Sequence, residues 1–269
     1  MRIAFIGGGV MAEAMISGLL KRGVAKAESI TTSDISQTRL KDLEKRYKIQ
    51  CVTDNREALK GQEIVVLAVK PQVLASVTDG LRGKLQSDQL ALSIVAGARI
   101  ETLRRQLGHD CIVRVMPNTP AQIGEGMSVW TATEEVSAKQ REMTRTILAA
   151  LGKETFVADE KYIDMATAVS GSGPAYIFLI IEALTDAAVH IGMPRDMASE
   201  LVLQTVLGSA RFAQSSQKHS AELRNMVTSP GGTTAEGLLQ LEEGGLRAIL
   251  SQAVIAAYEK AKYLGQEQK

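Results

Sequence analysis

The chain has 269 residues, 45% of them hydrophobic, and 31 basic side chains against 30 acidic ones for a net charge of +1. That length suits one large domain or two ordinary ones, and the balanced charge leaves no electrostatic footprint for nucleic acid or an anionic membrane. Two cysteines, Cys51 and Cys111, are too few for a disulfide framework and fit a reducing compartment, so a cytoplasmic protein is expected, with no signal peptide and no apolar run of membrane-spanning length.

Residues 3–6 read as a buried strand and 11–22 as a helix stopped by Gly23. A strand over 29–33 and a helix over 37–47 follow. Residues 63–69 form an apolar strand, 73–81 a short helix, 89–95 a strand and 100–107 a helix. Strands over 111–116 and 127–131 complete the predicted set. Alternation of this kind implies βαβ units and a mainly parallel sheet. Beyond about residue 160 no strand-like run remains. Helices are predicted over 174–190, 195–214, 221–227, 233–243 and 246–264. The first of these is apolar nearly all round (Ile177, Phe178, Leu179, Ile180, Ile181, Leu184), so it must be covered on every side. A second subunit is the simplest cover. The expected organisation is a Rossmann-type α/β domain over 1–158 followed by an all-helical dimerisation and substrate-binding domain over 159–269.

The first strand runs into Gly7-Gly8-Gly9-Val10-Met11-Ala12 and then a helix. This is G-x-G-x-x-A between a strand and a helix, the context in which the motif signals dinucleotide binding. Gly7 permits the turn, Gly9 lets the backbone approach a pyrophosphate, and Ala12 allows close helix–strand packing. The second strand ends in Thr32-Ser33-Asp34. Asp34 could accept a ribose 2′-hydroxyl, which favours NADH, or simply cap the next helix. Ser33, Ser36 and Arg39 could hold a 2′-phosphate, which favours NADPH. Both cofactors stay open. The strand ends Ala68-Val69-Lys70-Pro71 and Val95-Ala96-Gly97 should lie over the same ligand, with Lys70 equally readable as a solvated surface lysine.

The loop Ser229-Pro230-Gly231-Gly232-Thr233-Thr234 is the second informative segment. Thr233 and Glu236 read as a capping box opening a helix. Free amides at a helix start suit a carboxylate or phosphate. Glycines without side chains admit a ligand to the backbone, and Thr234 adds a hydroxyl beside it.

Three motifs in order, Gly7-x-Gly9-x-x-Ala12, Ser170-Gly171-Ser172-Gly173-Pro174-Ala175-Tyr176 and the loop 229–234, resemble pyrroline-5-carboxylate reductase, together with Ala68-Val69-Lys70-Pro71 and Met116-Pro117-Asn118-Thr119-Pro120. The likeness covers essentially the whole chain. It implies reduction of the cyclic imine (S)-1-pyrroline-5-carboxylate to L-proline, the last step of proline biosynthesis, by NADPH or NADH. It also implies a homodimer, assembled in some members into larger rings of dimers. By the same resemblance Ile6, Gly7, Gly8, Gly9, Val10 and Met11 hold the pyrophosphate, and Ser33 the 2′-phosphate. Asn55 sits at the adenosine end, and Ala68, Val69, Lys70, Ala96 and Gly97 at the ribose and nicotinamide. Glu160, Asn225, Thr233 and Thr234 line the substrate site.

For a small substrate with one carboxylate and one C=N bond, the amides of Gly231, Gly232 and Thr233 suit the carboxylate and the Thr234 hydroxyl suits the nitrogen, which makes Thr234 the expected catalytic residue. No general acid stands out: His109, His190 and His219 sit in no catalytic pattern, and no metal-ligating cluster is evident. Two other readings compete. A β-hydroxyacid dehydrogenase would carry an acid/base lysine on the helix after Pro174, and this helix has none. A non-catalytic NAD(P) sensor would have no need for a complete 229–234 loop.

Overall fold

A computed structural model describes residues 1–267. They divide into two compact units, one made of 1–172 together with the chain from 256 onward, the other of 173–255.

In the first unit the elements follow one another as β1 (Ile3–Ile6), α1 (Val10–Lys21), β2 (Ile30–Ser33), α2 (Gln37–Tyr47), β3 (Gln50–Val52), α3 (Asn55–Ala58), β4 (Ile64–Leu67), α4 (Pro71–Leu81), β5 (Leu90–Ser93), α5 (Ile100–Leu107), β6 (Ile112–Met116), β7 (Gly126–Ala132), α6 (Ala138–Ala149), β8 (Gly152–Phe156) and α7 (Lys161–Ala166). The eight strands form one sheet in the order β3-β2-β1-β4-β5-β6-β7-β8. All neighbours are parallel except β6 and β7. Strands buried on both faces read as continuous apolar runs, because successive side chains point to opposite sides. In β1, Ile3 and Phe5 enter one core with Met15, Ile16 and Leu19 of α1, while Ala4 and Ile6 enter the other with Leu74 and Leu81 of α4.

Two strands go beyond the predicted set. β3 and β8 are the two edges of the sheet, each has an exposed side, and their sequences (Gln-Cys-Val and Gly-Lys-Glu-Thr-Phe) lack the buried pattern of the centre. Helix α6 is a further addition. Its signal was present: Ser137 and Gln140 form a reciprocal capping box ahead of buried Ile147 and Leu148.

The second unit holds α8 (Gly173–His190), α9 (Arg195–Ser216), α10 (Ser220–Met226), α11 (Thr233–Glu243) and the first part of α12 (Leu246–Glu267), whose later residues belong to the first unit. α8 packs on α9. Only Thr185 and Ala198 are buried within 173–255, while Phe178 is 62% and Leu179 64% exposed. Apolar surface on that scale marks an interaction face. α8 does not start afresh at Pro174, as the sequence suggested. α7 passes through a π-turn, Thr167–Gly171, closed by Ser172 N–H donating to the Thr167 carbonyl at 2.8 Å. The stretch Lys161–His190 is long and apolar enough, by length and composition alone, to cross a membrane. Within it Asp164 is 6% exposed and ion-paired to Arg114 of β6.

Candidate active site

The parallel register brings the predicted cofactor residues to one edge. Ile6 is level with Ser33 on one side and Leu67 on the other, and Leu67 with Ser93. The ladder continues into the loops: Gly7 N–H donates to Ser33 O at 2.8 Å and Ala68 N–H to Ile6 O at 2.9 Å. The carboxyl ends of parallel strands are where open α/β sheets hold ligands.

Gly7 has φ +99°, and a Cβ there would lie 2.7 Å from the Ala68 carbonyl oxygen, so the turn demands glycine on both counts. Gly9 is the N-cap of α1 in extended conformation, with no side chain capping it and open space where a Cβ would stand. The amides of Val10, Met11 and Ala12 have no acceptor among the described residues. Three orphan donors with the helix dipole behind them suit an anion. The residues therefore fit a dinucleotide pyrophosphate.

Around this turn the predicted residues separate into roles. Gly8 N–H donates to Asp34 Oδ2 at 2.8 Å, and Ser36 N–H to Asp34 Oδ1 at 2.9 Å. The cap of α2 is Ser36, whose Oγ accepts from Arg39 N–H; Asp34 instead ties the glycine turn to β2. Ser33 is fully buried and donates to Asn55 Oδ1 at 2.7 Å, which ties the end of β2 to the start of α3. Ala68 and Val69 are half-buried, and Lys70 is exposed at the start of α4. Ala96 is half-buried. Gly97, with φ +77°, lies against Leu264 of α12, where a Cβ would come within 3.0 Å.

Glu160 is committed within the first unit. Its Oε1 accepts from Arg114 Nη1 at 2.7 Å and from Ile100 N–H, at the start of α5, at 2.9 Å. Arg114 is 2% exposed and also donates to Asp164 at 2.7 Å. A pocket of about 200 Å3 lies beside this network, lined further by Arg99, Lys161, Tyr258 and Lys262.

The loop 229–234 in the second unit is a turn followed by a helix. Pro230 and Gly231 occupy its centre, Gly231 with φ +68°, and Gly232 N–H closes it on Ser229 O at 3.1 Å. Proline then positive-φ glycine is the type II pattern. The predicted capping box does not form. Gly232 is the N-cap of α11 and no side chain caps the helix, because Thr233 already has the first helical position. The set of available donors shifts accordingly: Gly232 N–H is spent on the turn, while those of Gly231, Thr233 and Thr234 have no acceptor among the described residues. Thr234 is half-buried, Thr233 exposed, and Asn225 is exposed on α10. Two histidines have structural work. His109 is buried with Nε2 2.8 Å from Gln89 O, and His219 Nδ1 accepts from Ala221 N–H at the start of α10.

Comparison with known proteins matches two family models to successive parts of the chain. A family model described as pyrroline-5-carboxylate reductase dimerisation matches residues 160–264. One described as NADP oxidoreductase, coenzyme F420-dependent, matches residues 2–97. The chain is 42% identical to the pyrroline-5-carboxylate reductase of Pseudomonas aeruginosa over 267 residues, covering 99% of this chain and 97% of that protein. The chain belongs to the pyrroline-5-carboxylate reductase family. To the family member from Synechocystis it is 40% identical, with 99% of each chain covered. The crystal structure of the Plasmodium falciparum family member with NADP bound superposes with a TM-score of 0.91 at 34% identity, covering 98% of each chain. In family terms the first unit carries the NAD(P)H-binding sheet, and the exposed apolar helices lie within the dimerisation domain.

Proposed function

We propose that the chain reduces (S)-1-pyrroline-5-carboxylate to L-proline with NADPH or NADH. The observation that carries the proposal is the presence, in one chain, of two helices that start on a glycine N-cap with no side-chain cap: α1 behind the glycine turn and α11 behind the Ser229–Pro230–Gly231–Gly232 turn. The first suits a dinucleotide pyrophosphate and the second a small carboxylate. When bound, the reduced nicotinamide supplies the hydride. The chain's own residues anchor and orient. The amides of Thr233 and Thr234, with Gly231, receive the carboxylate, and the Thr234 hydroxyl is the partner for the imine nitrogen. Hydride goes to carbon and a proton ends on nitrogen. The imine is protonated from water, so no dedicated acid is required, and positioning supplies most of the acceleration.

Glu160 and Asn225 enter as further substrate-site residues by resemblance alone. The working assembly is a homodimer formed through the helical half, residues 159–269, with larger rings of dimers open to it, acting in the cytoplasm without nucleic-acid or membrane partners. The near-absence of buried side chains within 173–255 supports the dimer. The test is oxidation of NADPH and NADH by the purified protein with pyrroline-5-carboxylate, read beside a β-hydroxyacid with the oxidised cofactors. Turnover of the hydroxyacid alone, or of neither compound, would overturn the reading.

A further inference from the structure

The cofactor turn has a second set of contacts that the proposed reaction does not use. Arg39, in the first turn of α2, reaches back across the glycines. Its Nε donates to the Gly8 carbonyl at 2.6 Å and its Nη2 to the Gly9 carbonyl at 3.4 Å. Nη2 also donates to Glu13 Oε2 at 2.5 Å, and Nη1 to Asp42 at 3.2 Å. Glu13, in the first turn of α1, is held in turn by the Tyr47 hydroxyl at 2.8 Å and by Arg46, which also pairs with Asp42. Asp34 grips the other side of the same residue, through Gly8 N–H.

This arrangement bears on coenzyme choice. Recognition of a 2′-phosphate draws on a guanidinium fork free to make paired hydrogen bonds. Arg39 stands beside the turn, yet four of its five donors are engaged by two backbone carbonyls and two carboxylates, which holds the fork on the turn. The cluster sets three carboxylates, Glu13, Asp34 and Asp42, against two guanidiniums, Arg39 and Arg46. A phosphate ester approaching it therefore meets excess negative charge. Asp34 uses one lone pair on each oxygen and keeps the others, enough to accept a ribose hydroxyl.

We propose that Glu13 sets the coenzyme preference: by holding Arg39 on the glycine turn it withholds that guanidinium from a 2′-phosphate and makes NADH the preferred dinucleotide. The inference rests on the reading that this turn binds NAD(P)H. Glu13 and Arg39 are positioning residues, Arg39 acting on the turn and Glu13 acting through Arg39.

The test is calorimetric measurement of dissociation constants for NADH and NADPH, without substrate, on the wild type, Glu13→Gln and Arg39→Ala, with thermal unfolding followed on each. The wild type should bind NADH roughly tenfold or more tightly than NADPH, the size of one lost charge-assisted hydrogen bond. Glu13→Gln should narrow that ratio by tightening NADPH, since Arg39 is released. Arg39→Ala should weaken both dinucleotides alike, because it loosens the turn they share. A wild type that prefers NADPH overturns the inference, as does an Arg39→Ala loss confined to NADPH. A folded Glu13→Gln with the wild-type ratio overturns it as well, and if that variant unfolds, the wild-type ratio and the Arg39→Ala pattern remain able to overturn it. A wild type that binds neither dinucleotide sinks the functional reading along with the inference.

Discussion

Asn118 donates through Nδ2 to the carbonyl of Ser170 at 3.0 Å. In an unbroken helix that carbonyl would accept from the residue four positions on, but this is Pro174, which has no N–H. Asn118 supplies the missing donor, and its Oδ1 accepts from Met127 N–H at 2.8 Å. Gly171 completes the junction: a Cβ there would come within 2.6 Å of Met116 Cε. The two motifs that carried the family resemblance, around Met116–Pro120 and Ser170–Tyr176, thus meet, and asparagine in one answers proline in the other.

Replacing Asn118 with alanine leaves one part-buried acceptor and one part-buried donor unpaired. The expected loss is about 2 kcal/mol or more in chemical unfolding. Adding Pro174→Ala should return part of it, because residue 174 regains an N–H. An additive double mutant would refute the link.

The Arg114–Glu160–Asp164 network joins β6 to α7 and fixes the start of α5. Arg114→Met strands two carboxylates and should cost about 3 kcal/mol or more in stability. Glu160→Gln keeps an acceptor for Ile100 N–H and should cost about 1 kcal/mol, discounted because Glu160 is partly exposed. If Glu160 only fastens α5, KM for pyrroline-5-carboxylate will not move. A raised KM at unchanged stability would place it in the substrate site.

The two threonines of α11 should separate in kinetics. Thr234→Ala should lower kcat by about a hundredfold, the low end for a positioned proton or hydrogen-bond partner at the reacting atom. The dissociation constant for the cofactor should stay near the wild-type value. Thr233→Ala, which leaves the backbone donor in place, should change kcat by less than about threefold. Equal effects of the two would remove the special role of Thr234.

Acid should weaken the cofactor turn before the rest of the sheet. Burial opposes ionisation of Glu13, but its bonds from Arg39, Tyr47 and Arg46 outweigh that and hold its carboxyl below the ordinary 4.5. A depressed carboxyl contributes stability that is complete above the unfolded value and is lost as pH falls through the folded one. Unfolding free energy should therefore decline below about pH 4.5 with a component absent from Glu13→Gln. Parallel curves for the two proteins would show that Glu13 contributes nothing there.

Much of this was legible because the physics is local. Gln37–Tyr47, Ile100–Leu107 and Thr233–Glu243 have the predicted bounds, each closed by turn chemistry in its own sequence. β3 and β8 were illegible because an edge strand takes its shape from a neighbour rather than from its own apolar pattern. The same applies at the site. Gly7 and Gly231 declare themselves, since a positive φ is a demand of the backbone alone. Asn118, Glu160 and Arg39 each have a deciding partner 26 or more residues away, in Ser170, Ile100 and Glu13, and no spacing announces it. The capping box failed for a smaller reason: a threonine and a glutamate at the right interval cap a helix only if the threonine precedes it, and here Gly232 does.

The second unit interrupts the first. The chain leaves the first unit at residue 172 and rejoins it from residue 256, where Leu264 lies against Gly97 and Gly265 beside Arg99. The cofactor-side half is therefore not a contiguous fragment. A protein cut after residue 255 would keep every strand yet expose the loop behind β5. On the ribosome this half stays unfinished until the last turns of α12 have emerged, after the helices of the other half have been made.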